Sequence, residues 1–235
     1  AVLKLRSAFL TTWKEGKMTP ESNLNRVRVI LADDHTIFTE GLGALLREEV
    51  DLVGIATDGQ QLIEQAAELK PDIVVTDISM PLLNGLDAIR LMRKKGIKSK
   101  IIILTMHGEA SLVAEAFHAG ASGYLLKQTA CTELLTAISE VWQGREFISS
   151  QLRGDFVTLR SKTEKAAKTA AESPLTPRQR QILQLTAEGK SMKQIAFHLG
   201  ISTKTVESHK YALMQILGLS SNAELVRYAI KSHLV

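Results

Sequence analysis

Five side chains in this 235-residue sequence have the types and positions to serve one reaction: Asp33, Asp34, Asp77, Thr105 and Lys127. Each stands at or just after the end of a short β-branched, apolar run. Three carboxylates gathered in one place repel one another unless a cation or a proton relieves them. A hard, oxygen-rich pocket with few ligands and room for water suits Mg2+ better than a transition metal. An aspartate nucleophile, a divalent cation, a hydroxyl and an ammonium together form a kit for taking up a phosphoryl group. Singly, each signal is weak, because an Asp at a strand end is commonly a helix cap and a Lys is commonly a solvated surface group. Their coincidence at several strand ends carries the argument.

The elements that must position them lie between residues 26 and 144. Strand patterns at 27–32, 52–57, 73–76, 101–105 and 123–126 alternate with amphipathic helical patterns at 38–48, 60–69, 86–95, 110–119 and 132–142. Continuously apolar strands, each followed by a helix, describe a parallel sheet covered on both faces. The expected fold is therefore α/β, a doubly wound five-stranded parallel sheet of the flavodoxin-like kind, with its site at the carboxyl ends of the strands. With the first and third strands adjacent, Asp33, Asp34 and Asp77 meet at one edge.

The remainder divides into an extension at 1–25, a linker at 145–174 and a second, smaller all-α domain at 175–235. The linker's latter part, SKTEKAAKTAAES, is charged and alanine-rich without a sustained apolar stripe. Beyond it, helices are expected at about 177–188, 191–199, 203–217 and 222–233. Thr176 with Gln179, Ser191 with Gln194 and Ser221 with Glu224 have capping-box spacing, and Gly189, Gly200 and Gly218 sit where helices end. The second and third of these helices, joined through Gly200-Ile201-Ser202, form a helix-turn-helix. On the later helix, Val206, Leu213 and Leu217 share an apolar face with His209 beside it, while Lys204, Glu207, Ser208 and Tyr211 lie opposite. Such an outward row suits reading of a DNA major groove.

Charge supports two different partners. Residues 26–144 hold 11 Lys and Arg against 16 Asp and Glu, a net of −5; residues 175–235 hold 8 against 3, a net of +5. An acidic unit suits cation and phosphate chemistry, and a basic one suits a polyanion. No apolar run approaches the roughly 20 residues needed to span a bilayer, so no membrane partner is expected. The first residues mix basic and apolar side chains without a small-residue cleavage site, and read as an extension, vector-derived or upstream of a natural start at Met18. The single cysteine, Cys131, cannot form an internal disulfide, which fits a reducing cytoplasm.

The segments ILADDH, VVTDISMPLLNGLDAIRLMR, IIILTMH and GASGYLLK closely resemble the receiver domain of two-component response regulators across nearly all of residues 27–142. That resemblance implies that a sensor histidine kinase phosphorylates Asp77. It implies that Asp33, Asp34, Asp77 and the backbone carbonyl of Ser79 hold Mg2+, that Lys127 and Thr105 engage the phosphoryl oxygens, and that Tyr124 is a switch aromatic that turns inward. Met106 is bulkier than the small residue common after the threonine, and Ser79 and His107 flank the expected approach of water.

The string LTPRQRQILQLTAEGKSMKQIAFHLGISTKTVESHKYALMQILGL resembles the LuxR-type DNA-binding domain of the NarL/FixJ family. By that likeness Glu207, Ser208 and Tyr211 face bases of double-stranded DNA, and Thr203, Lys204, Thr205 and Lys210 contact phosphates. The last helix corresponds to a dimer contact, with Leu225, Val226, Ala229 and Ile230 as apolar candidates for a homodimer formed on phosphorylation, some of which must face the unit's own core. In relatives of this architecture the receiver can cover the recognition helix until phosphorylation frees it. The whole reading is of a phosphorylation-controlled, cytoplasmic, DNA-binding transcription factor rather than an enzyme. A phosphatase with an Asp nucleophile would carry a second Asp where Ser79 stands, and a ligand-sensing factor would need an enclosed apolar pocket in place of the acidic triad.

Overall fold

A computed structural model describes residues 24–153 and 174–235; most of the N-terminal extension and the latter part of the linker fall outside these described residues. Five βα units come first: β1 Arg28–Ala32, α1 Thr36–Glu49, β2 Asp51–Ala56, α2 Gly59–Leu69, β3 Ile73–Thr76, α3 Gly85–Lys94, β4 Lys100–Thr105, α4 Ala110–Ala119, β5 Gly123–Leu126 and α5 Ala130–Trp142. The strands are parallel in the order β2-β1-β3-β4-β5, so β1 and β3 are neighbours, with Ala32 beside Thr76.

The strands are buried on both sides because successive residues feed opposite faces. Ile30, Val74, Ile101, Ile103 and Tyr124 pack with α2, α3 and α4, whereas Val29, Leu31, Val75, Ile102 and Leu104 pack with α1 and α5. The sheet runs one strand further than the sequence predicts. Phe147–Ile148, within the expected linker, forms β6 parallel to β5. Two residues are too few to give a periodic signal; Phe147 is buried against the α5 face instead.

Four helices form the second unit: α6 Pro177–Ala187, α7 Met192–Leu199, α8 Thr203–Leu217 and α9 Asn222–Lys231. All three capping boxes are formed, and Gly200 and Gly218 end α7 and α8 in the left-handed conformation that glycine adopts without steric cost. The last helix ends two residues before the expected boundary, because His233 turns to φ 51. A separate core of Leu175, Ile182, Leu183, Leu185, Ile195, Val206, Leu213, Leu225 and Ala229 holds the four together.

The two units touch. Leu82, in the loop between β3 and α3, packs against the helical core, and the ring of His107 meets that of His233 at 4.6 Å between centroids. Among the described residues no helix is long and apolar enough to cross a membrane.

Candidate functional site

Parallel register brings the predicted residues to one edge. Asp33 follows β1, Asp77 follows β3, Thr105 ends β4, and Lys127 follows β5. Asp33, Asp77 and Thr105 are buried, and Asp34 lies exposed at the rim. The Lys127 ammonium reaches across the sheet edge to Asp77 Oδ2 at 2.6 Å and Asp33 Oδ2 at 2.7 Å. The same ammonium lies over the Phe38 ring, 5.1 Å from its centroid. Ser79 is half-buried two residues beyond Asp77.

The electrostatics follow from crowding. Burial pushes the Asp77 carboxyl above its ordinary range; the hydrogen bond and charge of Lys127 pull it back, and the neighbouring Asp33 adds to the rise. For Lys127, burial alone would lower the ammonium, but hydrogen bonds to Asp33 and Asp77 outweigh it and hold the pKa raised. The backbone helps unevenly. Ile78 N–H donates to Asp77 Oδ1 at 2.6 Å, and His35 N–H donates to Asp33 Oδ1 at 2.9 Å. Asp33 Oδ2 is buried without a well-directed hydrogen bond and is met only by the ammonium charge.

Carboxylates crowded in this way are the kind of groups a divalent cation relieves. Ligand atoms of Asp33, Asp34, His35 and Asp77 all lie within 4.8 Å of one another. The three carboxylates fit a hard cation with oxygen preference. Sequence reasoning missed His35, whose Nδ1 sits 3.0 Å from both Asp33 Oδ1 and Asp34 Oδ1. Its adjacency to the acidic pair was visible, but a histidine after a strand carries no sign of which way its ring turns.

Thr105 and Tyr124 meet through the next residues. Thr105 Oγ1 accepts the His107 N–H at 3.3 Å, while the Tyr124 hydroxyl donates to the His107 carbonyl at 2.9 Å. Tyr124 is wholly buried, and burial, followed by the charges of Glu109 and Asp77, raises its phenol pKa strongly. The Tyr124 ring thus lies inside the domain. Met106, which follows Thr105 in the chain, is exposed.

On the helical unit, Ser202 caps α8 by accepting the Thr205 N–H, with its hydroxyl 2.8 Å from Thr205 Oγ1. Thr203, Lys204, Glu207, Ser208 and Tyr211 are exposed, Tyr211 at 66%, and Thr205, His209 and Lys210 are half-buried. The Ser208 hydroxyl donates to the Lys204 carbonyl at 3.0 Å. Two expectations need correction. Among the described residues the receiver leaves this face exposed, and the contacts between the units run to α6, Glu188 and His233. Leu225 and Ala229 cannot serve a dimer contact, because both are buried in the unit's own core; Val226 is half-buried and Ile230 is 57% exposed.

Comparison with known proteins agrees with both halves. Residues 29–139 match the response regulator receiver domain, and residues 173–229 match the bacterial regulatory proteins of the luxR family. The chain is 35% identical over 212 residues to the transcriptional regulatory protein MctR of Rhizobium johnstonii, covering 89% of this chain and 96% of that protein. It is 35% identical over 216 residues to the oxygen regulatory protein NreC of Staphylococcus aureus, covering 89% of this chain and 99% of that one. Among solved structures, the RcsB response regulator of Salmonella typhimurium is 30% identical with a TM-score of 0.57, covering 87% of this chain and 96% of that one. An RcsB–DNA complex is 30% identical with a TM-score of 0.54, covering 87% and 98%.

Proposed function

Because this chain belongs to the response regulators that join a receiver domain to a LuxR-type helix-turn-helix domain, we propose that Asp77 accepts a phosphoryl group from a sensor histidine kinase and thereby controls promoter binding. The family is one of transcription regulators and not of classical enzymes. The observation that carries the reading is the Lys127 ammonium paired at once with Asp33 and Asp77 at the carboxyl edge of the sheet.

In the step itself, an Asp77 carboxylate oxygen attacks phosphorus as the bond to the donor's imidazole nitrogen breaks, and the bonding pair leaves on that nitrogen. Asp33, Asp34, Asp77 and the Ser79 carbonyl are the groups we assign to Mg2+, which supplies charge neutralisation for the phosphoryl oxygens when bound. Lys127 exchanges its carboxylate partner for a phosphoryl oxygen, and the Thr105 hydroxyl donates to another. Aqueous loss of the phosphoryl group needs no further protein group in this reading, so turnover is self-contained in the receiver.

Signal reaches DNA through Thr105 and Tyr124, both tied to His107. With α8 already exposed, control acts on pairing and orientation of two chains rather than on uncovering a reading face. Glu207, Ser208 and Tyr211 are the base-facing residues in this assignment, Thr203, Lys204, Thr205 and Lys210 hold phosphates, and Val226 with Ile230 forms the two-fold contact. A cytoplasmic location belongs to the same reading, since both kinase output and chromosome are there. The test is acetyl phosphate labelling with Mg2+, alongside DNA binding and mass measurement with beryllofluoride. Wild-type labelling lost in Asp77→Asn, with a tighter DNA complex and a dimer in beryllofluoride, is expected. Persistent labelling of Asp77→Asn would move the acceptor elsewhere.

A further inference from the structure

The loop that carries the acceptor is closed from outside by the DNA-binding domain. Residues 78–85 fold back on Asp77: the Ile78 carbonyl accepts from the N–H groups of Met80 at 3.1 Å and Gly85 at 2.8 Å. Three of the loop's outer polar groups are met by Gln184 of α6, which is fully buried. Gln184 Nε2 donates to the Met80 carbonyl at 2.8 Å, while its Oε1 accepts from Asn84 N–H at 2.9 Å and from Asn84 Nδ2 at 3.3 Å.

Neighbouring turns of the same helix extend the contact. Arg180 Nε donates to Asp87 at 2.8 and 3.1 Å, and Glu188, just past the helix, accepts the Leu82 N–H at 3.0 Å. Spacing of four residues puts 180, 184 and 188 on one face. Leu82 itself has φ 65, a conformation unfavourable for a branched side chain. It is held there from the far side, by the Glu188 carboxylate and the helical core against which it packs. The receiver's own loop residues thus take a costly shape that the other domain over-determines.

We propose that Gln184 is a positioning residue for phosphoryl uptake at Asp77. By bridging Met80 and Asn84 it holds the loop immediately after Ser79 and so fixes the Ser79–Met80 peptide, whose N–H is tied to Ile78 and whose carbonyl is the one assigned to Mg2+ in the proposed function on which this inference rests. Docked α6 therefore raises the receiver's affinity for Mg2+ and its rate of phosphorylation. Because coupling is reciprocal, Mg2+ and phosphorylation tighten the docking in return. An interface serving only to hold the domains together would leave metal affinity untouched.

The test uses the full chain with Gln184→Leu, which keeps volume and removes every hydrogen bond of the side chain, and Gln184→Ala as a second variant. Isothermal titration with MgCl2 alone is expected to give an affinity about fivefold to tenfold below wild type. Acetyl phosphate labelling should slow in step. Hydrogen exchange of the Gly85 amide, which Gln184 does not touch, is expected to quicken in metal-free protein. Unchanged or tighter Mg2+ binding in both variants, with circular dichroism as in wild type, would overturn the proposal while leaving the Asp77 assignment intact. A wild-type chain that neither binds Mg2+ nor takes label would remove that assignment and this inference with it.

Discussion

At the scale of single residues, the site is held in a state that folding alone disfavours. Asp77 carries a carboxyl pushed above its ordinary range, chiefly by burial. A carboxyl whose pKa rises on folding stabilises the fold below its unfolded pKa near 3.8, and that contribution is lost as pH rises through the higher folded value. At neutral pH the ionised group weighs against folding, so Asp77→Asn is expected to raise the melting temperature by a few degrees at pH 7.5. The gain should shrink as pH falls towards 4, where the native carboxyl becomes protonated too. Lys127 keeps Asp33 as a partner at 2.7 Å in the variant, so no buried ammonium is stranded. Thermal melts across pH check this, and a less stable variant at pH 7.5 would contradict it. Gly85 makes the complementary case in backbone. A Cβ at this position would lie 2.0 Å from the Asp77 carbonyl oxygen, and neither backbone can retreat cheaply. Gly85→Ala is expected to cost about 2–3 kcal/mol by overpacking, read from urea unfolding, and to weaken Mg2+ binding.

At the scale of elements, α8 is anchored on one side by Val206 and Leu213 and presents the opposite side to solvent. Lys210 is half-buried beside Tyr211 and is the residue assigned to a phosphate contact in the proposed function. Lys210→Ala is expected to weaken binding to unrelated DNA sequences alike and to lower the slope of log affinity against log salt by about 1. An unchanged slope in a salt series would exclude a phosphate contact there. Much of this was legible in the sequence. Apolar strands of the receiver feed two covered faces and leave acids at their ends, and capping boxes at Thr176, Ser191 and Ser221 mark helix starts through local chemistry. What failed was what local pattern does not encode. Leu225 and Ala229 have the apolar character of a dimer surface, yet packing against α6 took them for the core. Phe147–Ile148 is too short to show a period, and its strand exists only because β5 offers an open edge. The Gln184 bridge joins residues about a hundred positions apart in the chain, and a single polar residue within ILQL gives no sign of its partner.

At the scale of the whole molecule, an acidic unit and a basic one meet through a buried ion pair. Asp87 is 3% exposed, and its carboxylate serves both Arg90 of its own helix and Arg180 of α6. The Arg180 side chain is also largely buried, at 11% exposure. Screening by salt reaches such a pair poorly, so the contact should persist at ionic strengths that dissolve surface attraction between the two units. Removing one partner is far costlier than the pair is worth, because the remaining charge stays buried; such losses run to about 3–5 kcal/mol. Much of that loss would fall on docking and not on either core, since each unit has its own apolar cluster. Calorimetry of the wild-type chain is therefore expected to show one cooperative transition, the units melting together. Asp87→Asn, which strands Arg180 while sparing both cores, should split it into two, with the helical unit's transition moving further. Raising NaCl to about 0.5 M, where the Debye length is only a few ångströms, should leave the wild-type single transition in place. Two transitions in wild type at low salt would show that the interface does not couple the units, and the charge asymmetry read from composition would then concern DNA alone; one transition in the variant would show that the coupling does not depend on this ion pair.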